Sequence, residues 1–67
     1  MASILLNGED REIRDGISLA QLIESLDLPD KRIAVEVNSD VIRKKDWSNF
    51  ELGHEDRLEI VHFVGGG

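Results

Sequence analysis

The chain of 67 residues contains no cysteine and no tyrosine, one proline, and three aromatic side chains. Without cysteine it can form no disulfide bond, no thiolate zinc site and no cysteine-ligated iron–sulfur cluster. Its apolar runs are a few residues long, whereas a membrane-spanning helix needs about 20. Its start, Met1-Ala2-Ser3, lacks a basic segment followed by an apolar block. We therefore expect a cytoplasmic protein that is not embedded in a membrane.

Basic residues are also scarce, since 8 Lys and Arg face 14 Asp and Glu, for a formal net charge of −6. Binding to a phosphate backbone needs clustered Lys and Arg, so we expect no nucleic-acid partner. The single basic run, Arg43 to Lys45, is typical of a solvated surface. The net acidity suits a basic protein partner, or it merely keeps a small protein in solution.

The chain length allows one domain, since a chain near this size buries only about 60% of the surface that its unfolded form exposes. A composition of 40% hydrophobic and 33% charged residues is typical of a globular domain. His54 and His62 lack the spacing of metal ligands, and no nucleophile and base pair is recognisable. We therefore predict no metal site, no bound cofactor and no catalytic residue, so the protein is not expected to be an enzyme.

The first half of the sequence predicts a β-hairpin followed by a helix. Residues 3–7 and 11–14 read as strands, and Asn7-Gly8 between them tolerates the positive φ angles of a type I′ turn. Ser18 and Gln21 have the spacing of a capping box at a helix start. Four aliphatic residues then recur at helical spacing for burial against a sheet: Leu19, Leu22, Ile23 and Leu26. Pro29 predicts that the helix ends at Leu28.

The second half predicts three further strands. Residues 32–38 and 41–43 read as a strand pair joined by a turn, and 44–52 as a connection with one helical turn whose Trp47 and Phe50 anchor to the core. In the last strand, 57–64, alternation puts Leu58, Ile60, His62 and Val64 on one face and Glu59, Val61 and Phe63 on the other. The element order predicts an α+β fold in which a mixed sheet of about five strands packs on one helix.

A glycine tail, Gly65–Gly67, follows the last strand directly. Glycine has no Cβ, so the tail is expected to be a slim and flexible extension of a domain spanning 1–64. A terminal α-carboxylate on such a tail could enter a narrow enzyme channel. The alternative is an ordinary frayed terminus.

Strand order, length and the glycine end together resemble the ubiquitin-like β-grasp family over the whole chain. Residues 35–38 (Val-Glu-Val-Asn), 41–43 (Val-Ile-Arg), Trp47 and 56–67 resemble, more narrowly, the bacterial sulfur carriers of thiamine biosynthesis. Two loop positions depart from that pattern: residues 53–56 differ from the usual Gly-Asp turn, and Ser39 replaces an expected glycine or basic residue. Both departures lie in predicted loops, so they affect the assignment little.

The resemblance implies that a ThiF-like enzyme uses ATP to adenylate the Gly67 carboxylate, and that sulfur then replaces the adenylate to give a thiocarboxylate. It also implies delivery of the sulfur to a ThiG-like thiazole synthase and a sulfur donor such as a cysteine desulfurase. Gly66 and Gly67 would lie in the activating site, where a side chain would clash, and Gly65 would supply reach. Val61 and Phe63 either form an apolar patch that docks the activating enzyme or cover a second small core.

Three alternatives remain open at the level of the sequence. The first is a carrier resembling the small subunit of molybdopterin synthase, although those chains tend to be longer. The second is a ubiquitin-like modifier that forms isopeptide bonds with lysines. The third is a passive interaction module whose glycines are incidental.

Overall fold

A computed structural model describes residues 1–28 and 32–62. The elements in chain order are β1 Ala2–Leu6, β2 Glu9–Ile13, α1 Leu19–Leu26, β3 Ile33–Val37, β4 Asp40–Ile42, a 3₁₀ helix Lys44–Asn49, and β5 Arg57–His62. This order confirms the predicted succession of two strands, a helix, two strands, a connection and a last strand. Phe63, Val64 and the glycine tail lie outside the described residues, so the division into 1–64 and 65–67 stays a prediction.

The five strands form one mixed sheet in the order β2-β1-β5-β3-β4. β1 and β5 run parallel, and the other neighbouring pairs are antiparallel. β5 is therefore central, although it comes last in the chain. β2 begins at Glu9, two residues before the predicted Arg11, because Asn7 and Gly8, with φ of 50° and 84°, complete the predicted tight turn by themselves.

Helix α1 begins with the predicted capping box. The Ser18 hydroxyl accepts the Gln21 backbone N–H at 3.1 Å, and the side-chain Oε1 of Gln21 accepts the Ser18 backbone N–H at 3.0 Å. The helix ends at Leu26 rather than Leu28, because Asp27 takes a left-handed conformation (φ 52°, ψ 51°) and its N–H bonds to the Glu24 carbonyl. No helix within 1–28 and 32–62 is long and apolar enough to cross a membrane.

The core lies between α1 and one face of the sheet. Leu19, which was predicted to face the sheet, and Leu58 are among its most deeply buried members, while Ile23 and Leu26 pack at its margin. The predicted anchoring of the connection is also confirmed, because Trp47 is buried and Phe50 packs against the same core. Trp47 also donates its indole N–H to the Ile42 carbonyl at 2.9 Å, so its polar atom is satisfied.

Candidate functional site

The end of β5 is the candidate site, since the glycine tail follows it in the chain. β5 pairs with β3 along its length, from Val37 opposite Leu58 to Ile33 opposite His62. Its pairing with β1 covers only Arg57 and Leu58. The part of β5 closest to the tail is therefore bordered by a full strand on one side and by the β1–β2 turn on the other. The predicted roles of Gly65, Gly66, Gly67 and Phe63 lie outside the described residues and stay predictions.

Asn7 continues the pairing of β5 past the end of β1. Its backbone N–H donates to the Leu58 carbonyl at 2.9 Å. Its side-chain oxygen accepts the Ile60 N–H at 2.7 Å, and its side-chain NH₂ donates to the Ile60 carbonyl at 3.2 Å. The carboxamide thus does for Ile60 what the next peptide group of a longer β1 would do. The sequence predicted only the turn at Asn7, since no local pattern links it to Ile60, which lies 53 residues away.

Asn38 holds the other end of β5 in a similar way. Its backbone N–H donates to the Arg57 carbonyl at 2.7 Å, and its side-chain oxygen accepts the Arg57 N–H at 3.0 Å. Its side-chain NH₂ also donates to the Asp56 carboxylate at 3.0 Å. Asn7 and Asn38 both adopt left-handed conformations, with φ of 50° and 51°, which asparagine tolerates better than most residues. The central strand is thus held by side chains from two hairpin turns.

Val61 lies on the face of the sheet that α1 does not cover. It stands directly opposite Ala34 of β3, and 54% of its surface is exposed. The described residues therefore leave more than half of Val61 uncovered, and the choice between a docking patch and a second small core, which also involves Phe63, stays a prediction. Leu5 and Val41 are also exposed, but their strand partners are Arg57 and Glu36, so neither is the direct neighbour of Val61. We call Val61 and Ala34 the outer apolar pair.

Two carboxylates lie next to this outer apolar pair. Glu36 and Glu59 stand directly opposite each other, two residues from Ala34 and Val61 respectively and on the same face of the sheet. Both are exposed. The face next to the end of β5 therefore combines a small apolar contact area with negative charge.

A surface cleft of about 350 Å³ lies elsewhere, near the start of β5, with Ser3, Leu5, His54 and Arg57 among its lining residues. His54 is exposed, and its Nδ1 accepts the Ser3 backbone N–H at 3.1 Å, so the side chain helps to hold the start of β1. His62 shares the parity of Leu58 and Ile60, yet it is exposed because it lies at the margin of the core. Within 1–28 and 32–62, no three His, Asp or Glu side chains converge as metal ligands would.

The chain matches a known protein family over nearly its whole length. Residues 4–67 match the sequence profile of the ThiS family, which is nearly the whole chain and includes the glycine tail. The chain belongs to the ThiS family. It is 41% identical over 63 residues to the sulfur carrier protein ThiS of Bacillus subtilis, covering 92% of this chain and 96% of that protein.

Two thiazole synthases are also related to this ThiS-family chain. It is 36% identical over 64 residues to the synthase of Magnetococcus marinus and 31% identical over 64 residues to that of Paramagnetospirillum magneticum. The match covers 96% of this chain in both cases, but the chain spans only 20% of the length of either synthase. A ThiS-like segment is thus one part of those longer proteins.

The fold agrees with a solved structure of the same family. The crystal structure of the thiamine biosynthesis protein ThiS from Geobacter metallireducens matches with a TM-score of 0.86 at 20% identity, covering 97% of this chain and 99% of that one. This confirms the predicted ubiquitin-like β-grasp fold. One departure noted in the sequence lies at a position with positive φ: Ser39, where a glycine or a basic residue was expected, has a φ of 76°, a value that glycine adopts without strain.

Proposed function

We propose that this ThiS-family protein carries sulfur for thiazole formation in thiamine biosynthesis, as a thiocarboxylate on Gly67. The observation that carries the proposal is the family match through residues 4–67, together with 41% identity to a sulfur carrier of nearly the same length. The two thiazole synthases that contain a ThiS-like segment support a ThiG-like thiazole synthase as the acceptor of the sulfur. In this role the protein is a substrate of its partners and not a catalyst.

The chemistry begins with a poor electrophile. A carboxylate resists attack by sulfur, so a ThiF-like partner joins the Gly67 carboxylate to AMP from ATP and releases pyrophosphate. Hydrosulfide then attacks the carbonyl carbon, the new C–S bond forms as the C–O bond to AMP breaks, and one proton is lost to leave a thiocarboxylate. In the cell, a donor such as a cysteine desulfurase supplies the sulfur. ATP is bound by the partner, and this chain binds no cofactor.

The fold contributes a rigid base for that terminus. β5 is the central strand, it is paired on both sides at its start, and the tail follows it after His62. Gly65 and Gly66 let the partner enclose the backbone closely, because neither residue has a side chain. Val61 and Phe63 contact the partner at the same time. The exposure of Val61 beside Ala34 supports this docking role, since an apolar side chain there gains most when a partner covers it.

The decisive experiment follows sulfur at Gly67. The purified protein is incubated with a ThiF-like enzyme, ATP and hydrosulfide, and its intact mass and C-terminal fragments are recorded. We expect an ATP-dependent replacement of one oxygen by sulfur that is confined to Gly67, and no replacement when Gly67 is deleted. If an enzyme that loads another ThiS protein leaves this one unchanged, the proposal is wrong.

The molecule that accepts the sulfur distinguishes a thiamine sulfur carrier from the alternative functions. The loaded protein is offered to a thiazole synthase and, in parallel, to the large subunit of molybdopterin synthase. We expect sulfur to be lost only to the thiazole synthase, as the family match supports. Transfer to the molybdopterin subunit would indicate the sister carrier, and adducts on lysines would indicate a protein modifier.

A further inference from the structure

We infer that Asn7 is a positioning residue for the sulfur-carrying terminus, because its carboxamide holds β5 at the point where β1 turns away. The inference rests on the proposed function, in which the tail after β5 must reach a partner's active site. It concerns a side chain far from Gly67 in sequence, in the β1–β2 turn. Asn7 reaches β5 only because the fold places the end of β1 beside the second half of β5.

The geometry of Asn7 replaces a missing stretch of strand. Within the described residues, β1 pairs with β5 only as far as Leu6 opposite Leu58. The next backbone N–H and carbonyl on the β1 side of β5 belong to Ile60. The Asn7 carboxamide accepts the N–H at 2.7 Å and donates to the carbonyl at 3.2 Å. Ile60 is 8% exposed, so these backbone groups have little access to water and depend on a protein partner.

The backbone of Asn7 makes this contact feasible. Its φ of 50° closes the turn while its side chain remains beside β5. Glycine at the same position would keep the turn and remove the carboxamide. Aspartate would keep an acceptor for the Ile60 N–H but would lose the donor to the Ile60 carbonyl. The variant Asn7→Asp therefore removes one of the two side-chain hydrogen bonds to Ile60, and Asn7→Gly removes both, while the backbone conformation of the turn is kept.

The functional consequence concerns the freedom of the strand end. Without the Asn7 carboxamide, the described backbone of β5 after Leu58 is hydrogen-bonded only to β3, where the last described pair is Ile33 with His62. Strand ends with few hydrogen bonds open locally at low free-energy cost. A terminus that starts from a frayed strand has more conformations to lose when it enters a partner's channel, and this loss weakens binding. Holding Ile60 thus fixes the last described part of β5, from which the chain continues toward the tail.

Asn38 provides a matched control. It has nearly the same φ, lies in the other hairpin turn, and its carboxamide also bonds a backbone N–H of β5, at Arg57. Arg57 is at the start of the strand, away from the tail. The variants Asn7→Gly and Asn38→Gly therefore remove similar interactions from the two ends of β5. Each variant loses two side-chain hydrogen bonds, because the Asn38 carboxamide also donates to Asp56; the bonds of Asn7 are part-buried and those of Asn38 are exposed.

The experiment compares wild type, Asn7→Gly, Asn7→Asp and Asn38→Gly as full-length chains. Hydrogen exchange is measured at each backbone amide, and KM and kcat are measured for ATP-dependent thiocarboxylate formation by a ThiF-like enzyme. We expect the Ile60 amide to exchange at least about tenfold faster in Asn7→Gly than in Asn38→Gly, because Asn7→Gly removes the part-buried hydrogen bond that this amide donates. We expect a KM increase of about tenfold for Asn7→Gly with kcat little changed, an intermediate value for Asn7→Asp, and a KM near wild type for Asn38→Gly.

The outcomes separate this inference from the proposed function. If wild type is loaded with sulfur but Asn7→Gly and Asn38→Gly have equal KM values, the positioning role is refuted and the proposed function survives. Equal protection of Ile60 in the two variants would refute it as well, independently of any sulfur chemistry. If wild type itself is never loaded, the proposed function fails and the role of Asn7 fails with it.

Discussion

Glu36 of β3 and Glu59 of β5 stand directly opposite each other on the exposed face of the sheet. Like charges in directly opposed positions of neighbouring strands destabilise a sheet. Arg57 lines the same small surface cleft as the two carboxylates, but forms no ion pair with either of them in the described part of the chain. The isolated protein therefore keeps an unfavourable pair in the middle of the face that we propose as a docking surface.

The first prediction is that Glu36→Gln stabilises the free protein. Removing one charge of the pair should raise the free energy of unfolding by ~0.5 kcal/mol, and the gain should shrink at high salt because screening weakens the repulsion. Urea denaturation at low and high salt measures both effects. The control is Glu12→Gln, since Glu12 is exposed and faces Ser3 rather than a carboxylate. An equal gain in the control would mean that net charge, and not this pair, is responsible.

The second prediction concerns the backbone at Ser39, whose φ is 76°. A side chain in this region is strained by about 1 kcal/mol, whereas glycine is not, although glycine adds entropy to the unfolded chain. Ser39→Gly should therefore raise the free energy of unfolding by ~0.5 kcal/mol, as measured by urea denaturation. Ser48→Gly, in the 3₁₀ helix and without a positive φ, should lower it. A loss of stability in Ser39→Gly would contradict the strain argument.

The third prediction compares two valines of neighbouring strands. Val35 of β3 is 0% exposed in the core, whereas Val41 of β4 is 65% exposed. Val35→Ala should lower the free energy of unfolding by ~2 kcal/mol, because two methyl groups leave the core and a cavity remains. Val41→Ala should change it by no more than ~0.5 kcal/mol. The two free energies, obtained from denaturant unfolding, should not be similar if the core lies between α1 and the sheet.

Local features of the sequence predicted most of the fold. The capping box at Ser18 and Gln21 and the helical stripe that includes Leu19 depend on residues a few positions apart, and the structure confirms them. The boundaries were less accurate. The helix ends before the predicted Leu28 because Asp27 adopts a left-handed conformation. A single aspartate in the sequence does not predict that conformation.

Long-range relations could not be predicted from local patterns. The bonds between Asn7 and Ile60 and between Ser3 and His54 join residues more than 50 positions apart. They depend on β1 and β5 being neighbours, which alternation of polar and apolar residues does not determine. Val61 shows the same limit, since the sequence placed it on a face but its exposure depends on the sheet having no described element on that side.

The fourth prediction tests the docking role of Val61. Val61→Ser should raise the KM for thiocarboxylate formation by a ThiF-like enzyme about tenfold, because an apolar contact at the centre of an interface contributes more than about 1 kcal/mol to binding. Its effect on the free energy of unfolding should be small, because the side chain is already 54% exposed. KM and unfolding are measured on the same protein preparations.

Val41→Ser is the control for that measurement. Val41 is an exposed valine on the same face of the sheet, but it lies on the edge strand β4 and pairs with Glu36 rather than with Ala34. The two variants lose the same chemical groups from strands of one sheet, so a KM increase confined to Val61→Ser locates the contact beside the end of β5. An equal increase in both variants would extend the interface across β3 to the edge strand. No increase in either would show that the partner recognises the tail without Val61, and the docking role would be wrong.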